Sequence, residues 1–371
     1  MSTIKLFLAG DVMTGRGIDQ ILPSSSPPDL HEPYIKDAGH YVELAEHNSG
    51  RITRPVDHSY VWGTSLAELQ FQSPKIRIIN LETSITAGSE YDSRKGIHYR
   101  MHPDNIRMLI SAGIDCAVLA NNHVLDWGTA GLHETLDVLQ EADIKSVGAG
   151  RKLSEAQEPA ILDCTENNEP ARILVFAEAH QSSGVPREWQ AGRYTAGIQV
   201  IPSFDSREVQ RIKKRIGMYK GTGDIAVYSI HWGGNWGYEI DESHQRFARA
   251  LIDDAGIDLV YGHSSHHPKG IEVYNDKLII YGCGDFLNDY EGIPGHEEYR
   301  PDVSLAYFPE IQTDSGKLEG MTITPFRIRR LQLNDPVPGD ISWIAQRMDE
   351  VSAVLGCRII QVDSRRLRLQ V

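Results

Sequence analysis

Short apolar runs alternate with segments of helical spacing along most of this chain, and this alternation limits the folds open to it. The apolar runs, each bounded by polar or glycine residues, cover residues 4–9, 76–81, 115–120, 172–177, 224–230, 258–261 and 278–281. Residues 131–142 and 243–255 carry apolar side chains at helical spacing. Strands that alternate with helices predict a βαβ architecture of the α/β class, with an at least partly parallel sheet.

Polar residues follow five of these strands at the point where each strand ends. They are Asp11, Asn80 with Glu82, Asn121-Asn122-His123, His231, and His263 with His266 and His267. Taken alone, each of these residues is more typical of a turn, a helix cap or a packed side chain than of a functional site. Because ligands of open α/β sheets bind at the carboxyl ends of the strands, five such ends predict one shared site.

The chemistry of this set favours a metal centre. Carboxylate, amide and imidazole ligands suit borderline divalent ions such as Mn, Fe, Zn or Co. Thiolates are absent from the set, which argues against a structural zinc site. The four cysteines lie far apart with no C-x-x-C pair, so we expect buried free thiols and a reducing compartment. A carboxylate with ligands on both sides would suit two ions, which can activate water for hydrolysis.

The charge of the chain limits its partners. The formal net charge is −14, which argues against a general nucleic-acid binder and against adhesion to anionic membranes. A small anionic substrate would need local cations, and Arg16 is the arginine nearest in sequence to Asp11, so we expect it to contact the anion. Trp232, Trp236 and Tyr238 follow His231 and either wall the pocket or pack against neighbouring loops.

The organisation of the chain predicts one large domain. Residues 19–60 resemble a long loop, and residues from about 303 onward change to strand and helix with few candidate catalytic groups. We expect a domain over residues 1–310 and a structural extension over 311–371 packed on it. No window approaches ~18 apolar residues, so no transmembrane anchor is expected. Residues 4–9 fit a strand better than a secretory signal, which favours a cytoplasmic protein.

Several motifs together resemble a known family. They are Gly10-Asp11-Val12-Met13, Asn80-Leu81-Glu82, Asn121-Asn122-His123 with Asp126 and Gly128, His231-Trp232-Gly233, Gly262-His263, and the segment 282–286. Their order over residues 4–310 resembles the CapA family of poly-γ-glutamate capsule biosynthesis proteins, within the calcineurin-like metallophosphoesterase superfamily. The resemblance implies a four-layer α/β/β/α sandwich around a dinuclear metal centre.

The resemblance also implies roles for single residues. Asp11 and His266 resemble ligands of the first metal and Glu82 the bridging carboxylate. Asn122, His231 and His263 resemble ligands of the second metal. His123 resembles the acid that protonates a leaving group, and Asp126 would orient its ring.

Three departures from the superfamily pattern affect these expectations. Met13 stands where the superfamily has a histidine, so the first metal site has one ligand fewer. The sequence leaves open whether His266 or His267 points inward. Asp285 stands where the family usually has asparagine, and contact with a metal-bound water and a structural role are both open.

The function indicated is that of a metal-dependent hydrolase with one or two divalent ions (Mn, Fe or Zn). It would cleave a phosphoester or a γ-glutamyl-type amide of a small anionic substrate. One alternative is a non-catalytic factor for synthesis or export that binds a polyanionic glutamate polymer. Another is a redox enzyme with two irons on the same ligands. Arg16, Trp232 and Asp285 are the candidate substrate contacts.

Overall fold

The computed structural model describes residues 2–166 and 169–370 of the chain. In the described residues the strands are β1 (Thr3–Val12), β2 (Ile76–Leu81), β3 (Ser84–Ile85), β4 (Arg100–Met101), β5 (Cys116–Val118), β6 (Lys145–Val147), β7 (Ala149–Gly150), β8 (Ala160–Glu166), β9 (Glu169–His180), β10 (Gly197–Ile198), β11 (Val200–Ile201), β12 (Ile225–His231), β13 (Leu259–His263), β14 (Ile271–Tyr274), β15 (Lys277–Ile280), β16 (Asp285–Leu287), β17 (Val303–Gln312), β18 (Leu318–Ile328), β19 (Leu333–Asn334), β20 (Arg358–Gln361) and β21 (Leu367–Gln370). The α-helices are α1 (Gly17–Ile21), α2 (Gly39–Ser49), α3 (Ser65–Gln72), α4 (Arg107–Ser111), α5 (Gly128–Glu141), α6 (Leu153–Gln157), α7 (Ser206–Ile216), α8 (Glu242–Asp253) and α9 (Pro338–Ala353).

Two large mixed sheets organise these strands. The first sheet has the order β20-β21-β18-β17-β1-β2-β5-β6, with β16 beside β1 and β19 beside β18. Its β1, β2, β5 and β6 are parallel to their neighbours in that series, whereas β17, β18, β21 and β20 are antiparallel. The second sheet has the order β11-β9-β12-β13-β15-β14, with β8 beside β9. The predicted βαβ pattern with a partly parallel sheet is therefore confirmed.

The two sheets pack face to face, and helices cover their outer faces. Along β12, Ile225 and Val227 belong to the core between the sheets, whereas Ala226 and Tyr228 pack with α7 and α8. This alternation follows from the two-residue period of a strand. The Tyr261 hydroxyl of β13 donates a hydrogen bond to the carbonyl of Ala9 in β1, which joins the sheets directly.

On the outer face of the first sheet, apolar side chains meet helical segments. Phe7 of β1 and Phe286 of β16 contact each other at a ring-centroid distance of 5.7 Å, and Phe286 also contacts Trp62 of the helical turn Tyr60–Trp62 at 6.1 Å. The Trp62 indole donates to the Met108 carbonyl of α4 over 2.8 Å. These contacts complete the α/β/β/α order of layers, and the predicted four-layer sandwich is confirmed.

The long loop expected over residues 19–60 is partly wrong, because α1 ends within it and α2 lies inside it. In α2 the described residues buried on the core are Tyr41, Val42 and Ala45. Such a short apolar face on a polar helix gives a weak periodic signal in the sequence.

The residues after 311 continue the first sheet. β18 pairs with β17, and β21 pairs with β18, each antiparallel. β17 itself runs across residue 310, so a strand links the two parts of the chain that the sequence separated. The division at residue 310 stays a prediction.

The remaining expectations concern thiols and membranes. Cys116, Cys283 and Cys357 are buried and form no disulfide. Among the described helices, not one combines the length and the apolar character needed to cross a lipid bilayer.

Candidate metal centre

The predicted site residues of both sheets come together where strand ends of the two sheets meet. In the first sheet, Asp11 of β1 lies opposite Asn80 of β2 and Asp285 of β16. In the second sheet, His231 ends β12 and pairs in register with His263, which ends β13. The Asp11 Oδ1 atom is 3.8 Å from His263 Nδ1, so the two sets of ligands face each other across the sandwich.

Three buried carboxylates lie on the side of the first sheet. Asp11, Glu82 and Asp285 are at most 3% exposed. The Asn80 amide donates to Asp11 Oδ1 over 2.7 Å and to Glu82 Oε2 over 3.2 Å. Burial, and after it the Asp285 carboxylate, raises the pKa of Asp11, while burial and Asp11 raise the pKa of Glu82 well above its usual range. Like charges held this close in a buried site are stable only when a cation compensates them or a proton neutralises one of them, so the site is suited to a bound cation.

Two imidazoles lie on the side of the second sheet. His231 Nδ1 and His263 Nδ1 are 2.7 Å apart, and His263 Nε2 lies 2.7 Å from Ser229 Oγ. Burial lowers the pKa of His263 to about 3 and, with the neighbouring His263, lowers that of His231. His231 Nε2 lies 3.1 Å from Asn122 Oδ1. Neutral imidazoles next to an amide oxygen are suited to bind a divalent ion.

His266 is the histidine of the 263–267 segment that faces the carboxylates. Its Nδ1 lies 2.9 Å from Asp285 Oδ1. Burial alone would lower the pKa of His266, but the Asp285 carboxylate raises it above its usual value. His267 instead packs against Tyr299 at 4.6 Å and its Nδ1 lies 3.1 Å from the Pro268 carbonyl. The geometry therefore favours His266 over His267 as a site residue.

These side chains form two sets of possible metal ligands that share Asp11. The ligand atoms of Asp11, His231 and His263 lie within 4.8 Å of one another, and so do those of Asp11, His266 and Asp285. Glu82, expected as the bridging carboxylate, lies beside the first set, with Oε1 at 3.9 Å from His231 Nε2. Oxygen and nitrogen donors of this kind fit Mn, Fe or Zn.

Met13 leaves the position of a superfamily histidine without an imidazole, as the sequence predicts. Its sulfur is buried and accepts a hydrogen bond from the Tyr290 hydroxyl at 3.6 Å. Asp285, on the neighbouring strand, brings a carboxylate into the same ligand set. The sequence left the role of Asp285 open, and only the pairing of β16 with β1 places it beside Asp11.

His123 and Asp126 form a hydrogen-bonded pair at the margin of the candidate metal ligands. His123 Nδ1 lies 2.6 Å from Asp126 Oδ2, and His123 Nε2 lies 3.8 Å from Glu82 Oε1. Burial lowers the pKa of His123 to about 4, against the opposing effect of Asp126. Burial would raise the pKa of Asp126, but His123 and Lys95 hold it below its usual value. An ionised Asp126 thus fixes the ring with Nε2 toward the site.

Lys95 and two tyrosines belong to the site, although the sequence did not assign them to it. The Lys95 ammonium contacts Asp126 and the Asn122 carbonyl. Tyr99 meets the His123 ring edge-on at 4.6 Å, and Tyr290 meets the His266 ring edge-on at 5.3 Å. The sequence shows Lys95 only as one of several cationic residues in loops. No sequence pattern around the two tyrosines indicates that they border the site.

Arg16 lies near the site, but its guanidinium already binds carboxylates. Nε donates to Asp289 Oδ2 over 3.1 Å, and Nη1 donates to Glu32 Oε1 over 3.0 Å and to the Tyr41 hydroxyl over 2.9 Å. Arg16 is 4% exposed. Its contact with a substrate anion stays a prediction, and its present partners are all internal.

Trp232 is buried away from the ligands. Its ring stacks on His244 at 4.4 Å, and its Nε1 donates to the Tyr281 carbonyl over 2.9 Å. Trp236 instead lies 5.3 Å from the His266 ring. Trp236 thus adds an aromatic side chain to the site beside Tyr290, while the role of Trp232 in substrate binding stays a prediction.

Comparison with known proteins gives the chain its relatives. The sequence model of a family described as "Bacterial capsule synthesis protein PGA_cap" matches residues 5–290. A "Probable polyglutamine synthesis accessory protein" of Mycobacterium tuberculosis is 44% identical over 358 residues, which cover 96% of this chain and 93% of that protein. A "Capsule biosynthesis protein CapA" of Bacillus anthracis is 28% identical over 286 residues, or 77% of this chain and 60% of that protein.

Solved structures show a more distant likeness. A novel phosphatase from Mycoplasma pneumoniae is 14% identical, with a TM-score of 0.47 over 92% of this chain and 97% of that one. A putative 5′-nucleotidase from Staphylococcus aureus is 12% identical, with a TM-score of 0.43 over 94% of this chain and 58% of that one.

Proposed function

Since this chain belongs to the PGA_cap family of bacterial capsule synthesis proteins, we propose that it serves that synthesis as a metal-dependent hydrolase. The bond cleaved is a phosphoester or a γ-glutamyl-type amide of a small anionic substrate. The observation that supports this proposal is the pair of ligand sets that share Asp11, with His123 and Asp126 directly beside them.

The side chains that would hold the ions are those of the two ligand sets. Asp11, His231 and His263 would hold one ion, with Glu82 and Asn122 beside them. Asp11, His266 and Asp285 would hold another. When bound, divalent ions at these positions supply charge that polarises the scissile bond and lowers the pKa of water.

His123 would move the proton of the reaction. Asp126 accepts the Nδ1–H, which leaves Nε2 as the reactive atom. With a pKa of about 4 the ring is neutral near pH 7, so Nε2 first takes a proton, ultimately from the attacking water. It then gives the same proton to the leaving oxygen or nitrogen, which returns the ring to its starting state.

A panel of substrates tests the proposal. Protein purified without chelator is assayed with aryl phosphates, nucleotides and γ-glutamyl peptides, with and without Mn²⁺, while its metal content is measured. We expect Mn²⁺-dependent turnover of at least one class, reduced by about 10²–10⁴ in His123→Ala. The control is His133→Ala, an exposed histidine of α5 outside the site. Equal activity of His123→Ala and wild type would remove His123 from the reaction, and a folded protein that retains no metal would contradict the proposal.

A second candidate is a non-catalytic role, and one observation favours it. The name of the Mycobacterium tuberculosis relative describes an accessory protein. The same site would then bind a glutamate polymer or its precursor without cleaving it. Saturable binding of poly-γ-glutamate with no turnover of any substrate in the panel would favour this role.

A further inference from the structure

A cleft of about 590 Å³ opens directly beside His266. Apolar and aromatic side chains form most of its wall. The members that matter here are Tyr34, Ile97, Trp236, Tyr290, Ile293 and His296. Because His266 also belongs to one of the ligand sets, a group bound at the His266 end of this cleft lies beside the candidate metal centre.

Several large apolar side chains of the cleft are exposed to solvent. Tyr34 is 96% exposed, Ile97 43% and Ile293 40%. They come from three separate segments of the chain and meet at one cleft. Exposed apolar side chains that lie together in one cleft indicate a binding surface.

The lining of the cleft includes flat rings. The Trp236 indole stacks on His296 with a centroid distance of 3.8 Å and an angle of 12°. The same indole lies 5.3 Å from the His266 ring. Aromatic groups bind to such surfaces by stacking or edge contact, in addition to the apolar area that they bury.

The charge of the cleft does not favour an extended polyanion. Among the described residues that line it, Arg16 is the one guanidinium or ammonium group. Arg16 is bound to both Asp289 and Glu32, so its charge is more than balanced. A chain of glutamates in this cleft would therefore find no free cation for its carboxylates.

We propose that the cleft holds a flat aromatic group that the substrate carries next to its scissile bond. This inference rests on the proposed function, because it places the aromatic group beside the candidate metal centre. Trp236 and Ile293 are then specificity residues that select an aromatic ester or amide over the bare anion.

Binding of phosphonates, which contain no cleavable ester, tests the proposal without turnover. Titration calorimetry in Mn²⁺ compares benzylphosphonate, hexylphosphonate, methylphosphonate and tri-γ-glutamate. We expect benzylphosphonate to bind about tenfold more tightly than methylphosphonate and more tightly than hexylphosphonate. The preference for benzyl over methyl should fall to about threefold or less in Trp236→Leu and in Ile293→Ser. Ile360→Ser, which changes a 37% exposed isoleucine of β20, is the matched control and should keep it.

Each result bears on the proposal. A nucleoside 5′-phosphonate that binds more tightly than benzylphosphonate would assign the ring to a nucleobase, and weaker binding would assign it to a smaller aryl group. Equal binding of hexyl and benzyl, no binding of any phosphonate, or preferred binding of tri-γ-glutamate would overturn it. An aromatic preference in a protein that hydrolyses no substrate would contradict the proposed hydrolase function and leave the aromatic specificity of the cleft standing. Hydrolysis without an aromatic preference would contradict the aromatic specificity and leave the hydrolase function standing.

Discussion

Replacement of Arg16 by methionine separates its structural role from a role in anion binding. The side chain of Arg16 is 2% exposed, and those of Glu32 and Asp289 are 6% and 0% exposed. Arg16→Met removes the cation and leaves Asp289 with the backbone amide of Gly17, at 3.0 Å, as its remaining described partner. An uncompensated carboxylate in this position has to be protonated or hydrated at the expense of the fold.

The expected loss is large for one side chain. Removing one partner of a buried ion pair lowers the free energy of unfolding by about 3–5 kcal/mol. For a chain of 371 residues the unfolding entropy converts this loss into a fall of about 4–6 °C in Tm. Arg246→Met is the control, since Arg246 and Glu242 form an ion pair with side chains 69% and 87% exposed. An exposed pair of this kind contributes less than about 1 kcal/mol.

Urea and thermal unfolding measure the effect, and a double variant checks its cause. Arg16→Met with Asp289→Asn removes the isolated charge as well as the cation, so it should be more stable than Arg16→Met alone. If Arg16→Met unfolds at the temperature of the wild type while substrate or phosphonate affinity falls, the reasoning is refuted. Arg16 would then be an anion contact, as its closeness in sequence to Asp11 predicts.

Three further predictions concern the backbone, pH and metal. A Cβ on Gly10 would lie 1.8 Å from the Gly284 carbonyl oxygen. Gly10→Ala should therefore separate β1 from the segment before β16 and lower both Tm and Mn²⁺ affinity. Unchanged Tm and Mn²⁺ affinity would show that the backbone can move to accept the methyl group. Burial raises the pKa of Glu68, but Arg366 and neighbouring hydrogen bonds hold it below its usual range. The stability from this pair is therefore present above pH ~4.5 and lost as pH falls through the lower, folded pKa. Arg366→Met should remove that stability, so its urea midpoint should lie below that of the wild type at pH 7. The difference between the two midpoints should be smaller at pH 3, and a difference that does not change with pH would contradict the prediction. Mn²⁺ at 100 times its Kd should raise the free energy of unfolding by about 2.7 kcal/mol in wild type and by much less in Asp11→Asn, as measured by urea unfolding; equal stabilisation of both proteins would place the metal elsewhere.

The secondary structure near the site was accessible from the sequence because its strands are short, apolar and fully buried. Residues 76–81 coincide with β2, and the runs at 224–230 and 258–261 overlap β12 and β13, each beginning one residue before the strand. The helix α2 was missed because few of its residues face the core. Local apolar patterning therefore reports elements that are buried on both sides better than elements that only cover the surface.

The partners of the charged residues could not be predicted, because they are distant in sequence. Arg16 binds Asp289 across 273 positions of the chain, and Lys95 binds Asp126 from a loop that precedes it. An arginine followed by loop residues looks the same in a sequence whether it is solvated, bound to an anion or buried against a carboxylate. Only the closing of the loops around α1 decides between these states for Arg16.

The choice between His266 and His267 shows the same limit at the scale of one residue. Ser264 has a φ of 107°, in the left-handed region that few side chains adopt. Its backbone amide donates to Asp11 Oδ2 over 3.2 Å, which holds the start of this segment against β1. The path of the backbone, and not the identity of two adjacent histidines, determines which ring faces Asp285.

The sequence by itself determined the class of the fold and which polar residues follow its strands. Apolar runs have to be buried as strands, and the polar residues that follow them are brought to the strand ends by the direction of the chain. Only the tertiary structure decided that β1 and β2 belong to one sheet and β12 and β13 to the other, that Asp285 joins Asp11, and that an apolar cleft lies beside His266. The physical reason is that strand direction is a local property, whereas the pairing of sheets, the neutralisation of charges and the shape of a cleft depend on contacts between segments far apart in the chain.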